Sequence, residues 1–205
     1  MKYFLFDLDG TLLDSEQAIV HLYQEELPRM GLKKPDANMV LAESGKTAGE
    51  WVLALNPSIP EADVGRIAET VRRAFAYKYL PRYGKPYAES HDILTELRRK
   101  GAGIGAVTNQ KRFEAEVSFK VMNFDFDVTA CRDDVAHAKP APDLVFEGLR
   151  RLGAKKEEAL FVGDSFADAG AGKAAGVRTL LVKRFWNKEV DAEKIDSLSE
   201  VLKFL

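Results

Sequence analysis

The sequence has little that would direct it to a membrane, to nucleic acid or to a disulfide-bonded scaffold. It contains one cysteine among 205 residues, so no internal disulfide can form and we expect a reducing compartment. Its net charge is -2, whereas a nucleic-acid-binding chain would more often be basic. No apolar run approaches the length of a membrane span, and Asp7 interrupts the short apolar run at the N-terminus, which disfavours a secretory signal. These absences favour a cytoplasmic protein that binds neither nucleic acid nor membrane.

Two familiar site patterns are also incomplete. The three histidines (His21, His91 and His137) match no common metal-binding spacing. The run Gly45-Lys46-Thr47 resembles the end of a phosphate-binding loop, but that motif needs a glycine where Val40 stands. It also needs a buried strand before it, and residues 35–44 instead predict a short helix. A nucleotide-binding loop at this place is therefore disfavoured.

What the chain does contain is an alternation of short apolar runs and amphipathic helical segments. Four runs of small, β-branched or aromatic residues have the length of strands covered on both faces: 2–8, 102–108, 159–164 and 177–182. Three helical patterns that end in glycine lie among them: 90–101, 141–153 and 166–176. This alternation predicts an α/β fold with a Rossmann-like parallel sheet and right-handed crossovers.

A helical block breaks this alternation between residues 15 and 81. It contains no convincing strand and two amphipathic helices, and the Pro and Gly of "PRYGKP" that follow are typical of a connection. We therefore predict a core formed by residues 1–14 and 82–205 and an inserted helical cap formed by residues 15–81. The basic pairs on the predicted helices, including Arg72-Arg73, are predicted to face solvent.

Polar side chains follow three of the predicted strands at the points where those strands end. The first strand is followed by Asp7, Asp9 and Gly10, the second by Thr108-Asn109 and the third by Asp164. In an open parallel sheet the carboxyl ends of the strands form the ligand site, so we expect these residues to converge. Lys139, before a helix, and Asp168 would join them.

The residue types at this predicted site fit phosphoryl transfer. Crowded carboxylates at Asp7, Asp9, Asp164 and Asp168 are costly without a cation, and oxygen ligands favour Mg²⁺. Hydroxyl, amide and ammonium donors suit phosphate oxygens; they come from Thr108, Asn109 and Lys139.

Four segments in order, "DLDGTLLDS", "VTNQ", "KPAPD" and "GDSFAD", resemble the four motifs of the haloacid dehalogenase-like superfamily. The helical block is similar to that family's α-helical C1 cap, so the resemblance covers the whole chain. The nearest group is the phosphoglycolate phosphatase-like hydrolases. The resemblance implies a Mg²⁺-dependent phosphatase that works through an aspartyl-phosphate.

The resemblance also implies a role for each motif residue. Asp7 would be the nucleophile and a metal ligand. Asp9 would be the general acid and base and would offer its backbone carbonyl to the metal. Asp164 would ligate the metal directly, whereas Asp168 would hold the metal's waters or orient Lys139.

The phosphoryl group would lie among four residues of the first three motifs. Lys139, Thr108 and the Asn109 backbone would bind its oxygens and stabilise their charge. Gly10 would allow the backbone to approach closely after the nucleophile. An acid at Asp9 fits phosphatases and phosphomutases, because the family's dehalogenases lack an acid there.

The substrate and two other activities stay open at this level. Phosphoglycolate is the leading guess, with pyrophosphate and sugar or nucleotide monophosphates as alternatives. A β-phosphoglucomutase-like phosphomutase would carry a histidine about where Ile19 stands, with His21 two residues further on. A non-enzymatic phospho-receiver would not carry a helical cap. The oligomeric state would be monomer or homodimer.

The cap prediction gives Gly45-Lys46-Thr47 a second interpretation. The run lies where related C1 caps place their specificity loop. Lys46 and Thr47 would then contact an anionic or polar group at the far end of the substrate, and the alternative is a solvated loop between two cap helices.

Overall fold

The strands and helices alternate as the sequence pattern predicts. The computed structural model describes all 205 residues. Its strands are β1 (Tyr3–Phe6), β2 (Leu13–Asp14), β3 (Lys85–Pro86), β4 (Gly103–Val107), β5 (Val128–Ala130), β6 (Ala159–Gly163), β7 (Arg178–Val182) and β8 (Glu193–Ile195). Six of them form one parallel sheet in the order β5-β4-β1-β6-β7-β8. The predicted α/β core with a parallel sheet is confirmed.

Nine α-helices connect and cover the strands. They are α1 (Glu16–Arg29), α2 (Ala37–Ala42), α3 (Ala48–Leu55), α4 (Glu61–Ala74), α5 (Leu80–Tyr83), α6 (Ser90–Arg99), α7 (Arg112–Met122), α8 (Asp143–Leu152) and α9 (Phe166–Ala175). A single π-helical segment, Phe75–Tyr79, joins α4 to α5. No helix is both long and apolar enough to cross a bilayer.

The central strand β1 is buried on both faces, and its residues alternate between two hydrophobic clusters. Phe4 and Phe6 point into the larger cluster and Leu5 into the smaller one, as the two-residue period of a strand requires. All three side chains are fully buried. This position places the residue after β1 in the middle of the sheet's carboxyl edge.

The helices α1 to α5 lie between β2 and β3, which pair antiparallel with Asp14 opposite Lys85. Val71 and Phe75 of this block belong to the same hydrophobic cluster as Phe4 and Phe6 of the sheet. The division of the chain into core and cap stays a prediction, but the helical block and the sheet share buried packing.

Candidate active site

The carboxyl ends of three neighbouring strands open into one cavity of about 100 Å³. Asp7 follows β1, Thr108 follows β4 and Asp164 follows β6, and all three line the cavity. Asp9, Gly10, Asn109 and Lys139 line it as well. The structure therefore brings together residues that are more than 150 positions apart, because parallel strands end on the same edge.

Lys139 holds the centre of the site. Its Nζ lies 2.8 Å from Asp7 Oδ1 and 2.6 Å from Asp168 Oδ1, and it donates a hydrogen bond of 3.0 Å to the carbonyl of Val107. Burial by itself would lower the pKa of Lys139, but the Asp168 and Asp7 carboxylates outweigh burial and raise that pKa above its ordinary value. The lysine is therefore a buried, charged ammonium.

Burial raises the pKa of two carboxyl groups that line the cavity with Lys139. It raises the pKa of Asp7 to about 7, with Lys139 opposing the rise and Asp168 adding to it. It also raises the pKa of Asp164 well above the ordinary range, with Asp168 and Asp7 adding to the effect. One ammonium does not balance this cluster of carboxylates, so a further cation would favour their ionised forms.

Three carboxylates lie close enough to surround one ion. Oxygen atoms of Asp7, Asp164 and Asp168 lie within 4.8 Å of one another. Both oxygens of Asp168 are already engaged, Oδ1 by Lys139 and Oδ2 by the backbone N–H and hydroxyl of Ser165. An all-oxygen donor set of this kind fits a hard divalent cation such as Mg²⁺.

Asp9 has one engaged oxygen and one free oxygen. Its Oδ2 accepts a hydrogen bond of 2.7 Å from Gln110 Nε2, and Gln110 is in turn held by the Ser118 hydroxyl at 2.9 Å. Its Oδ1 is buried and has no hydrogen-bond partner. Burial raises the pKa of Asp9, while the Ser15 and Gln110 side chains partly offset the rise. A carboxyl group in this setting is able to hold a proton and present it to a ligand.

At two glycines the backbone passes too close to a neighbouring side chain of the site for a Cβ to fit. Gly10 has φ +78°, and a Cβ there would lie 2.1 Å from Asp164 Oδ2, as expected for a close approach after Asp7. Gly45, between α2 and α3, has φ +94°, and a Cβ there would lie 2.7 Å from the hydroxyl oxygen of Ser165. The turn at Gly45 therefore contacts the loop that follows β6.

The Asn109 side chain links this turn to the core. Its Nδ2 donates to the carbonyls of Gly45 at 3.1 Å and Lys139 at 3.2 Å, and its Oδ1 accepts from the Lys139 backbone N–H at 3.0 Å. The Thr108 hydroxyl oxygen accepts a hydrogen bond from the Gln110 backbone. The side chain of Asn109 is thus committed to protein groups, and its backbone remains the part available to a ligand.

The structure separates Lys46 from Thr47. Lys46 lines the cavity and forms an ion pair with Glu43. Thr47 does not line the cavity, because its side chain caps α3 through a reciprocal pair of hydrogen bonds with Glu50. The prediction that Thr47 contacts a ligand is therefore not matched by its position, and the helix cap is the reason.

Arg72 is a site residue that the sequence analysis missed. The prediction of a solvent-facing Arg72-Arg73 pair is wrong for Arg72, which is buried, lines the cavity and lies 2.7 Å from Glu114 Oε2. Arg73, one step around the helix, is exposed. The available signal was the neighbouring Ile67, Ala68 and Val71, which define the buried face of α4 and place Arg72 at its border.

The four aromatic residues of the cavity, Tyr23, Trp51, Phe75 and Trp186, were also missed. Trp186 donates a hydrogen bond of 2.8 Å to Asp164 Oδ2. Tyr23 and Trp51 line the cavity with ring centroids 5.3 Å apart. Ile19 lines it too, whereas His21 points away and stacks on Tyr83 at 4.3 Å. Single aromatic residues without a motif give no sequence signal for a site.

Comparisons with known proteins agree with this geometry. The family model described as haloacid dehalogenase-like hydrolase matches residues 4–182. The chain is 31% identical over 182 residues to pyrophosphatase PpaX of Bacillus cereus (strain AH820), covering 87% of this chain and 81% of that protein. A solved structure from Bacteroides fragilis, described as a haloacid dehalogenase-like hydrolase, is 27% identical with a TM-score of 0.89 and covers 98% of this chain and 99% of its own. A protein described as a predicted phosphoglycolate phosphatase from Haemophilus somnus shares the fold, with a TM-score of 0.86, 20% identity and coverage of 99% and 97% of the two chains.

Proposed function

Since this chain belongs to the haloacid dehalogenase-like hydrolase family, we propose that it is a phosphatase that hydrolyses a small phosphate monoester through a phosphoryl group on Asp7, with Mg²⁺ as its cofactor. The observation that carries the proposal is the arrangement of the buried Asp7 and Lys139 and the partly buried Asp9 around one cavity. It supplies a nucleophile, a cation and an acid in one place.

Asp7 and Asp164, with the backbone carbonyl of Asp9, would hold the Mg²⁺ ion. When bound, this ion would offset the repulsion between the Asp7 carboxylate and the incoming phosphate. Asp168 would act on the ion only indirectly, since both of its oxygens are engaged by Lys139 and Ser165. Its proposed role is to orient Lys139.

The first step transfers the phosphoryl group to Asp7. Lys139 contacts Oδ1 of Asp7, which leaves Oδ2 to attack phosphorus. The new bond joins that oxygen to phosphorus, and the bond from phosphorus to the alcohol oxygen breaks. The Lys139 ammonium, the Thr108 hydroxyl and the Asn109 backbone N–H bind the phosphoryl oxygens as their charge is redistributed.

Asp9 moves the proton in both steps. Burial favours the protonated form of Asp9, and Oδ1, which has no hydrogen-bond partner, is the atom that would donate the proton to the leaving alcohol. The resulting carboxylate then takes a proton from water as that water attacks the phosphorus of the acyl phosphate, and the bond between phosphorus and Asp7 Oδ2 breaks to restore the Asp7 carboxylate. The products are the alcohol and inorganic phosphate, and Asp7 and Asp9 return to their starting states.

Residues 15–81 act as a cap in this proposal. The Gly45 turn contacts Asn109 and Ser165 of the core, so the helical block lies directly over the reacting groups. A closed cap would exclude bulk water while the acyl phosphate forms. The position of His21 outside the cavity and of Ile19 inside it favours hydrolysis over a mutase reaction.

The test measures phosphate release with a panel of small phosphate compounds, in Mg²⁺ and in EDTA. The panel includes phosphoglycolate, suggested by the sequence resemblance, and pyrophosphate, the compound in the relative's name. Asp7→Asn should lower kcat by about 10³-fold or more, because the amide is a poor nucleophile. The exposed Asp125→Asn is the matched control and should keep full activity. Full phosphate release by Asp7→Asn would refute the assigned nucleophile, and release in EDTA equal to that in Mg²⁺ would refute the cofactor.

A further inference from the structure

The cavity has two halves of different chemical character. The half formed by the sheet and its loops carries Asp7, Asp9, Lys139 and Asp164. The other half, which we call the helical half, is formed by α1, α3, α4 and the start of the π-helical segment. Its wall consists mainly of apolar and aromatic side chains: Ile19, Leu22, Tyr23, Trp51, Val71 and Phe75. A phosphate bound at Asp7 would therefore direct its organic group toward an apolar wall.

The cations of the helical half are neutralised by protein carboxylates. Arg72 is paired with Glu114 at 2.7 Å, both side chains being buried, and Lys46 is paired with Glu43. Glu16 lines the cavity, accepts a hydrogen bond from Tyr87 and has no ion-pair partner. The charge left over in this half is therefore negative, and a second anionic group on the substrate would find no free cation there.

The uncharged hydroxyl of Tyr23 remains available in the helical half. The Tyr23 hydroxyl forms no hydrogen bond with the protein, although the residue is only 2% exposed and lines the cavity. Because the residue faces the cavity and its hydroxyl has no protein partner, that hydroxyl is available to a single uncharged oxygen of a ligand.

From this distribution we infer that the substrate is a phosphate monoester of a largely apolar alcohol that carries no second anionic group, and not pyrophosphate or an ester with a carboxylate tail. The inference rests on the proposed phosphatase function. The aromatic rings of Trp51 and Phe75 supply contact area for the organic group. The inference gives this chain a different substrate from that in the name of its relative, a pyrophosphatase. If pyrophosphate were bound, its second phosphate would lie against apolar rings.

The experiment compares kcat/KM for benzyl phosphate, phosphoglycolate, 2-aminoethyl phosphate and pyrophosphate. The first three are esters of primary alcohols, so they differ mainly in the charge and polarity of the tail. We expect benzyl phosphate to exceed each of the others by about tenfold or more. Equal or higher kcat/KM for a charged tail or for pyrophosphate would overturn the inference. Absence of phosphate release from every compound would instead refute the proposed function.

Two variants test the physical cause. Glu114→Gln leaves Arg72 without its carboxylate, so kcat/KM for phosphoglycolate should rise about tenfold relative to benzyl phosphate. Trp51→Ala should lower kcat/KM for benzyl phosphate about tenfold and leave that for phosphoglycolate within about threefold. Leu53→Ala, on the exposed face of the same helix, should change neither. An equal loss on both substrates in Trp51→Ala would overturn the inference even if Glu114→Gln fails to fold.

Discussion

The two halves of the cavity are built by different physical means. In the sheet half, Lys139 holds two carboxylates within 2.8 Å, and each of these groups depends on the others for its charge. In the helical half, apolar side chains define the shape, and the buried Arg72–Glu114 pair is neutral as a whole. We expect the first half to determine the chemical reaction, because replacing any one of its charged groups would change the charge of the others. In our proposal the second half selects the organic group of the substrate, and packing of that kind can be altered one residue at a time.

The sharpest test of the sheet half is Lys139→Met. Loss of the ammonium leaves Asp7 and Asp168 without their cation in a buried place, so we expect kcat to fall by about 10³-fold and stability to fall by roughly 3–5 kcal/mol. Phosphate release and urea unfolding measure the two effects.

An exposed ion pair between a lysine and a glutamate provides the control for Lys139→Met. Lys2 lies 2.6 Å from Glu158, but its side chain is 72% exposed, so Lys2→Met should change neither kcat nor the unfolding midpoint measurably. If Lys139→Met behaved like Lys2→Met, the claim that the sheet half acts as one charged unit would be wrong.

The second prediction concerns pH and the metal-free protein. Burial raises the pKa of Asp7 from an ordinary value of 3.8 to about 7, so the folded state holds a proton that the unfolded state has released between those values. This contribution to stability is fully present below about pH 4 and is lost as the pH rises through about 7, by an amount on the order of 2–4 kcal/mol. Stability in EDTA should therefore be lower at pH 8 than at pH 5.

Added Mg²⁺ should reverse this trend, because it favours the ionised carboxylates. We expect Mg²⁺ to raise Tm more at pH 8 than at pH 5, and Asp7→Asn to flatten the profile measured in EDTA. Thermal unfolding across pH is the measurement. A larger Mg²⁺ effect at pH 5 would contradict the assignment of a cation site to these carboxylates.

The smallest effect is expected for a substitution at Gly45, in the turn where the helical block contacts the core. Gly45→Ala introduces a Cβ 2.7 Å from the Ser165 hydroxyl oxygen at a residue with φ +94°. Gly31→Ala has a similar strain, φ +77°, but nothing lies within 4 Å of its Cβ. Both should lose roughly 1–2 kcal/mol of stability. Only Gly45→Ala should also lower kcat/KM, by about tenfold, because its turn must move off the core.

This pair isolates the contact between the helical block and the core. Urea unfolding gives the shared cost of positive φ, and steady-state kinetics gives the difference between the two variants. Equal kcat/KM in Gly45→Ala and Gly31→Ala would mean that the Gly45 turn does not have to rest on Ser165 during turnover.

The sheet half could be predicted from the sequence because its residues follow fixed points of the fold. Asp7, Thr108 and Asp164 each come directly after a buried strand, and strand ends converge whatever the rest of the chain does. The same logic predicted the four longer strands of the sheet. It missed β5 and β8, which are three residues long and give too short a pattern to separate from a loop.

The helical half could not be predicted in this way. Arg72 and Arg73 are neighbours in the sequence, yet one is buried against Glu114 and the other is exposed, and only the packing of α4 against the core decides between them. Thr47 was predicted to contact ligand, but a local hydrogen bond with Glu50 engages its side chain. Contacts between distant helices have no fixed sequence spacing, so they become visible only in the fold.

The short pairing of β2 with β3 has a consequence for how such a chain can be remodelled. Asp14 and Lys85 stand opposite each other, so the chain leaves the sheet and returns to it at neighbouring points. A segment with adjacent ends can be lengthened, shortened or exchanged for another with little change in the distance that its ends must span. A graft that joins these two positions with a different helical block would therefore keep the register of β1, β4 and β6, and with it the reacting groups, while offering the phosphate a new surface for its organic tail.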